Sequence, residues 1–366
     1  MSDVLVVGAG LLGASAAYHL ARAGASVTVL DPGRPGSGTS GSSFAWINAQ
    51  DKEPGEYFEL NQRGLAAYPG LASTLGGGWF HPGGDLLIGR GARMDAVRDR
   101  ARRHEALGYP VTIVDRAAIA DLEPALRLPD EEILGAHFTS EAWIDAPEFI
   151  ERLLKAAVDA GAVTVHGTAE TLLRDGDRVV GVRRRGGTDQ RADTVVLAAG
   201  PATEALAATA GVRLPMSPSP GLLVTMAPVS PTVRRVIHTG DVALRPDGSG
   251  RVLVASRSVD AGLDPATRSL GAFDPPVGDA VRRALDWLPG LDLAKPERVR
   301  IGIRSVSTDG RPAVGPAETA PGLYLLVSHS GATLAPILGE LVAHELTSGP
   351  VEAFASYRPD RFGAAT

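Results

Sequence analysis

The 366-residue chain contains no cysteine, which rules out disulfides, cysteine-ligated zinc, thiol nucleophiles and any prosthetic group tethered through sulfur. A reducing, cytoplasmic setting is the expectation. An excess of positive charge is missing too: the net charge is −6, so nothing supplies the basic field that would hold nucleic acid or an anionic membrane. Long apolar runs are also absent. The run "VLVV" ends in glycine, and "GLYLLVSHSGATLAPILGELVAHEL", residues 322–346, is interrupted by His329, Glu340 and His344, short of the roughly 20 clean residues a membrane span requires. No basic segment precedes the first apolar run, so no secretory signal is expected. No internal repeat or low-complexity tract occurs. What the chain does have is turn formers, with 44 glycines and 27 prolines, and a length that suggests about two domains.

The most informative stretch is "DVLVVGAGLLGASAAYHLARAGASVTVLD", residues 3–31. Residues 3–8 are β-rich and apolar, residues 11–23 have helical spacing, and residues 26–30 form a second strand ending at Asp31. The small residues Ala14, Ala17 and Ala21 suit a helix packed closely on a sheet. Gly8 would make the turn, Gly10 would let the backbone approach a pyrophosphate, and Gly13 would let helix and strand touch. The amides of Leu11, Leu12 and Gly13 open the helix, where free N–H groups and the helix dipole favour phosphate. Asp31 can accept hydrogen bonds from a ribose diol and disfavours a 2′-phosphate. The alternative is a plain strand-to-helix turn.

A nicotinamide domain would continue at once with further strand and helix units. This chain runs instead into "PGRPGSGTSGSSFAWINAQ", residues 32–50, too small and polar for a core. Gly38, Thr39 and Ser40 could extend the phosphate cradle through their backbone, or the segment could be a flexible loop. In "RADTVVLAAGPAT", residues 191–203, an apolar strand leads to Ala199 and Gly200 and would return the chain to the same sheet edge. In the 322–346 stretch a strand leads through Ser328 into a helix starting near Thr333.

Taken in order, the opening unit, "GTSGSSFAWINA", "TVVLAAGPAT", "IGIRSVSTDGRPAVG" and "GLYLLVSHSGATLAPILG" resemble the D-amino-acid oxidase family of FAD-dependent amine oxidoreductases, which includes glycine oxidase, sarcosine oxidase and D-amino-acid dehydrogenases. The resemblance covers nearly the whole chain. It implies an α/β fold with a Rossmann-like, GR2-type FAD domain, discontinuous over residues 1–82, 145–215 and 300–366. A substrate domain on a mixed, largely antiparallel sheet would occupy 83–144 and 216–299. Independently, turns at 175–177 and 186–187 indicate a small antiparallel sheet between a helix at 147–160 and the strand at 194.

The same resemblance implies removal of hydride from the carbon bearing an amine, with delivery to flavin N5 and hydrolysis of the imine. The substrate would be a small amine or amino acid, and the electron acceptor oxygen or a quinone or other carrier. Arg304 would bind the substrate carboxylate in bidentate fashion, unless it is exposed or structurally paired. Gly331, Ala332 and Thr333, at the start of the last helix, would stabilise negative charge on the flavin. His329 would hydrogen-bond the cofactor or assist oxygen, or be a structural histidine. Trp46 and Asn48 would flank the ring, and Ala169 would contact the adenine side. Residues 32–50 lack the histidine through which some relatives attach FAD, so FAD is expected to be non-covalent.

Three departures from the family pattern stand out. Ser305 replaces a usual proline, Ala243 replaces a tyrosine of glycine oxidase-like relatives, and Arg257 stands where a small residue is common. Arg257 reads as a solvated strand-end charge or as a second anion contact. Ala243 leaves open a rival reading, a flavin-binding partner protein without turnover, and a nicotinamide dehydrogenase is a further alternative.

Overall fold

The structure, a computed structural model, describes residues 3–363; the outermost residues of the expected spans, 1–2 and 364–366, lie outside the described residues. The opening pattern folds as read. Asp3–Val7 forms a strand, Leu11–Arg22 a helix and Ser26–Asp31 a second strand parallel to the first. On the other side of Asp3–Val7 lies Thr194–Leu197, also parallel. The six-stranded sheet runs Ala313–Pro316, Leu323–Val327, Thr194–Leu197, Asp3–Val7, Ser26–Asp31, Val163–His166. Every strand but Ala313–Pro316 is parallel to its neighbours. A parallel sheet needs cover on both faces. Helices Leu11–Arg22, Ala146–Asp159 and Gly331–Ser348 cover one face through a shared apolar core. The other face is covered by the antiparallel sheet Ala169–Asp175, Arg178–Arg184, Asp189–Arg191, which sets Leu172, Val179 and Val182 against Leu5, Val195 and Leu197.

Small side chains let the first and last helices approach closely. Ala14 and Ala17 are fully buried, and Gly339 lies directly over Ser15. The helix expected at 147–160 is Ala146–Asp159, started by the Asp145 carboxylate accepting the Glu148 N–H at 2.9 Å with Pro147 in its first turn.

The second large sheet has eight strands, in the order Pro296–Arg304, Ser219–Met226, Val252–Ala255, Ala243–Pro246, Val236–His238, Asp85–Arg90, Ile133–Phe138, Thr112–Val114. Only Val236–His238 and Asp85–Arg90 pair in parallel. The edge strand pairs along its length, from Pro296 to Arg304, so the border expected at 300 falls inside it. Alternation gives this sheet two different faces. Leu222, Val224, Leu244, Val252 and Val254 bury against helix Pro275–Leu285. The opposite face carries Arg304, Gly221, Ala255, Ala243 and His238; Gly221 lies under the Arg304 guanidinium, while His238, Ala243 and Ala255 are cross-strand neighbours in another row. A short sheet of Trp46–Ile47, Ala142–Ile144 and Phe80–Pro82 lies between the two large ones. Among the described residues no helix is long and apolar enough to cross a membrane.

Candidate active site

Gly8, at φ 108°, leaves no room for a side chain, because a Cβ there would collide with the Ala198 carbonyl and approach Ala199. A Cβ on Gly13 would run into the Gly8 carbonyl oxygen. Gly10 differs: nothing but the Ser40 hydroxyl, at 3.0 Å, lies within reach of a Cβ on it. Gly8 and Gly13 are therefore required by the chain's own packing, while Gly10 keeps open the approach to the first helical turn. The Leu11 N–H donates to Ser40 Oγ at 3.1 Å, and those of Leu12 and Gly13 have no partner among the described residues. Gly38 and Thr39–Ser42 form a short turn beside them, with Thr39 Oγ1 donating to the Ile303 carbonyl at 2.6 Å. The Asp31 carboxylate accepts the Ala9 N–H at 2.7 Å and the Gly33 N–H at 2.8 Å. It thus shapes the glycine turn. Gly200, at φ 59°, lies beside Ser305, and Ala169 begins a strand just beyond His166, the cross-strand partner of Asp31.

The last helix provides a second set of free donors. Its N-cap, Ser330, makes no side-chain cap, and the N–H groups of Gly331, Ala332 and Thr333 have no partner among the described residues. Helix Glu56–Leu75 braces this end. Tyr57 donates to Ser330 Oγ at 2.8 Å, Tyr68 donates to the Ala332 carbonyl, and Gly64 allows contact with the Thr333 backbone. Thr333 Oγ1 accepts the Asn48 N–H at 3.1 Å, and Asn48 Oδ1 is buried with no partner. Two helix starts with free N–H groups, a glycine turn and an orphaned amide oxygen therefore lie near the carboxyl ends of the parallel strands, and an extended dinucleotide such as FAD matches that donor and acceptor set.

Near this end of the sheet the structure gathers charges that the sequence does not reveal as a group. His329 is exposed at a concave mouth, where loss of hydration, then Lys52 and Arg304, lower its pKa to about 4. Burial also lowers the Lys52 pKa. Asp51 is paired with Arg257 at 2.6 Å. Arg257 corrects one expectation: it opens a short helix, Arg257–Ala261, rather than ending a strand, and its exposed side chain ties that helix to the 50s loop. Arg304 departs further from the simple reading. Its guanidinium pairs with Asp260, which is nearly buried, and donates to the Pro220 carbonyl at 3.0 Å. It reaches the sheet face as a member of an ion pair. With Asp51 and Asp260 counted against Lys52, Arg257 and Arg304, and His329 neutral, this mouth retains one net positive charge.

Because His329 is neutral above about pH 4, His329→Gln should leave the shape of the kcat/KM profile unchanged between roughly pH 6 and 9. A lost or moved ionisation near pH 7 in that variant would show that His329 carries a proton during turnover.

A buried polar cluster behind the ring-side segment was likewise invisible in the sequence. Trp46 packs at a tilt of 43° against His238, with ring centroids 4.2 Å apart, and donates Nε1–H to Glu141 at 2.8 Å. Tyr109 donates to Glu141 at 2.8 Å, Gln50 donates to Asp85 at 2.6 Å, and His238 Nδ1 lies 2.6 Å from Asp85. Burial and the Asp85 charge push the Glu141 carboxyl well above the usual range, while its donors act in the opposite sense. Trp46 is thus fixed through its own polar edge.

Comparison with known proteins agrees with this geometry. Residues 3–345 match the family model described as FAD dependent oxidoreductase, DAO. Among curated proteins, the chain is 30% identical to a D-amino acid dehydrogenase of Methylobacterium radiotolerans, covering 96% of this chain and 97% of that protein. It is 28% identical to a glycine oxidase of Geobacillus kaustophilus, covering 93% and 92%. The crystal structure of glycine oxidase from Geobacillus kaustophilus superposes with a TM-score of 0.88 at 24% identity, over 98% of both chains. The protein belongs to the D-amino-acid oxidase family of FAD-dependent amine and amino-acid oxidoreductases.

Proposed function

We propose that this enzyme oxidises the C–N bond of a small amino acid or related carboxylate-bearing amine. FAD would be held by the part of the chain that builds the six-stranded sheet, and the substrate by the eight-stranded sheet. One observation carries this reading: the Arg304 guanidinium lies over Gly221, on the same sheet face as the small residues Ala243 and Ala255, next to a mouth with net positive charge. A carboxylate is favoured there, and the absence of a large side chain at Ala243 leaves room for substituents on the substrate. The glycine oxidase and D-amino acid dehydrogenase names of relatives support the same class.

When bound, FAD supplies the two-electron acceptor that takes the hydrogen next to nitrogen as hydride, leaving an imine that water hydrolyses. The residues of this chain bind and orient. Leu11, Leu12 and Gly13 would hold the pyrophosphate, Asp31 the ribose, and Ala169 the adenine side. Gly331, Ala332 and Thr333 would meet negative charge at the pyrimidine edge of the flavin. Arg304 would hold the carboxylate, and neutral His329 leaves the amine free of a competing cation. Oxygen and a quinone or carrier are both compatible acceptors.

The test is an anaerobic panel of amines and amino acids, read by bleaching of the flavin absorption band. At least one small carboxylate-bearing amine is expected to bleach it. No reduction across a broad panel would favour a flavin-binding partner protein instead. Acid precipitation of the yellow protein should release all flavin into the supernatant, since neither cysteine nor a histidine in residues 32–50 is present to tether it. Flavin retained in the pellet would contradict dissociable FAD.

A further inference from the structure

A half-open cavity of about 680 Å³ lies on the same face of the eight-stranded sheet as Arg304, but toward the other end of its strands. The turn Thr39–Ser42 crosses the sheet between the two places, with Thr39 on Ile303 and Ser42 over Gly302. Neither the glycine turn at 8–13 nor the 329–333 segment lines the cavity. Its volume is that of a small-molecule site. Leu223 and Leu253 form an apolar floor and Trp143 a wall.

The remaining lining is dominated by arginine, and the acids present are largely engaged elsewhere. Glu297 is paired with Arg251 at 2.7 Å. Asp145 caps helix Ala146–Asp159, and Asp247 accepts from Ser249 and Arg251 within its own turn. That leaves Arg245, Arg298 and Arg300, none of which has a carboxylate within 4 Å among the described residues. Arg245 is only 5% exposed. It lies over the Trp143 ring at 4.5 Å and donates Nε–H to the Phe44 carbonyl and Nη1–H to the Pro246 carbonyl, while Nη2 makes no hydrogen bond among the described residues. Burial lowers its pKa to about 10, an effect that Asp145 and Asp247 offset only in part. Arg300 donates to the Gly41 carbonyl, and Arg298 stands beside it on the edge strand. Neutral partners satisfy hydrogen bonds without cancelling charge, so Asp145 and Asp247 still offset part of the arginine charge, and with four arginines against three acids the lining keeps one net positive charge.

We infer that this cavity binds a phosphate-bearing small molecule, with Arg245, Arg298 and Arg300 contacting the phosphate and Leu223 and Leu253 receiving an apolar part. Three guanidiniums from two strands suit a tetrahedral dianion better than a single planar carboxylate, which one arginine can hold alone. The cavity is separate from the cofactor site and does not depend on which amine is oxidised.

The experiment uses FAD-saturated protein at constant ionic strength, titrated with inorganic phosphate and with phenyl phosphate. Thermal unfolding and flavin absorbance are followed together. Both probes should raise the melting temperature relative to chloride, phenyl phosphate at lower concentration, with no flavin released. In Arg298→Gln, on an exposed strand edge where folding is not at risk, the half-saturating concentration should rise about tenfold, the scale of one charge-assisted contact. Arg245→Lys, which keeps the charge but loses the fork, should weaken phenyl phosphate in the same direction. Three results would overturn the proposal: no protection beyond chloride, equal midpoints in wild type and Arg298→Gln, or release of flavin by phosphate, which would place the anion in the cofactor site.

Discussion

Replacing Arg304 by alanine is expected to leave the protein folded and yellow while weakening carboxylate-bearing amines by on the order of 2 to 5 kcal/mol, the scale for removing one partner of a buried charge pair. In kcat/KM that is roughly 30-fold or more. The Asp260 pair sharpens the test. Asp260 also accepts the Leu222 N–H at 2.8 Å, so it anchors the neighbouring strand and competes with substrate for the guanidinium. Asp260→Asn should relieve that competition and lower KM for anionic substrates, the opposite sign to Arg304→Ala. If Arg304→Ala slows amines with and without a carboxylate equally, Arg304 acts only by holding Asp260 and the strand, and it leaves the site.

Gly13→Ala should be the most damaging single methyl in the chain. The added Cβ would occupy the Gly8 carbonyl oxygen, a backbone atom with no rotamer to change. Overpacking among side chains costs about 1–3 kcal/mol, and a rigid neighbour pushes the cost to the top of that range or beyond. Relief could come only from lifting the helix start off the strand, which would also misdirect the free amides of Leu11, Leu12 and Gly13. Colourless protein that added FAD fails to reconstitute, with a lowered melting temperature, is the expected result. A yellow variant with an unchanged melting temperature would contradict the packing role assigned to Gly13. Gly10→Ala offers a comparison, because a Cβ there meets only the Ser40 hydroxyl. It should fold normally and lose cofactor affinity selectively.

The opening strand–helix–strand unit was legible because its parts are local. Strand, glycine spacing, helix and terminal acid fall within residues 3–31, and each obeys a period or a conformational need that neighbouring residues reveal. The antiparallel sheet at 169–191 was legible for the same reason, since its turns carry their own signals. The charged mouth was not. Asp51 meets Arg257 across 206 residues, and Arg304 meets Asp260 across 44. Nothing in the spacing of an arginine states which acid will face it. Glu141 is fully buried, yet in "TSEAW" it reads like any turn carboxylate. The one faint signal was Asp85 at the head of the apolar strand Asp85–Arg90, where a charge with no alternation to expose it implies a buried partner. The border expected at 300 divides residues 296–299 from 300–304, whereas one ladder contains both.

The segment from Thr39 to Gln50 is fastened to the eight-stranded sheet through Thr39 to Ile303, Gly41 to Arg300, Phe44 to Arg245 and Gln50 to Asp85, and through Trp46 to Glu141 in the turn after that sheet's strand Ile133–Phe138. The Gln50 bond is buried and the others partly so, and a rigid swing of one half of the molecule away from the other would have to break them together. Opening by hinge is thus closed to this architecture, and exchange of substrate and product falls to small local excursions at the rim. Such a rigid frame keeps the oxidant and its target in fixed register, so selectivity rests on the shape of the walls.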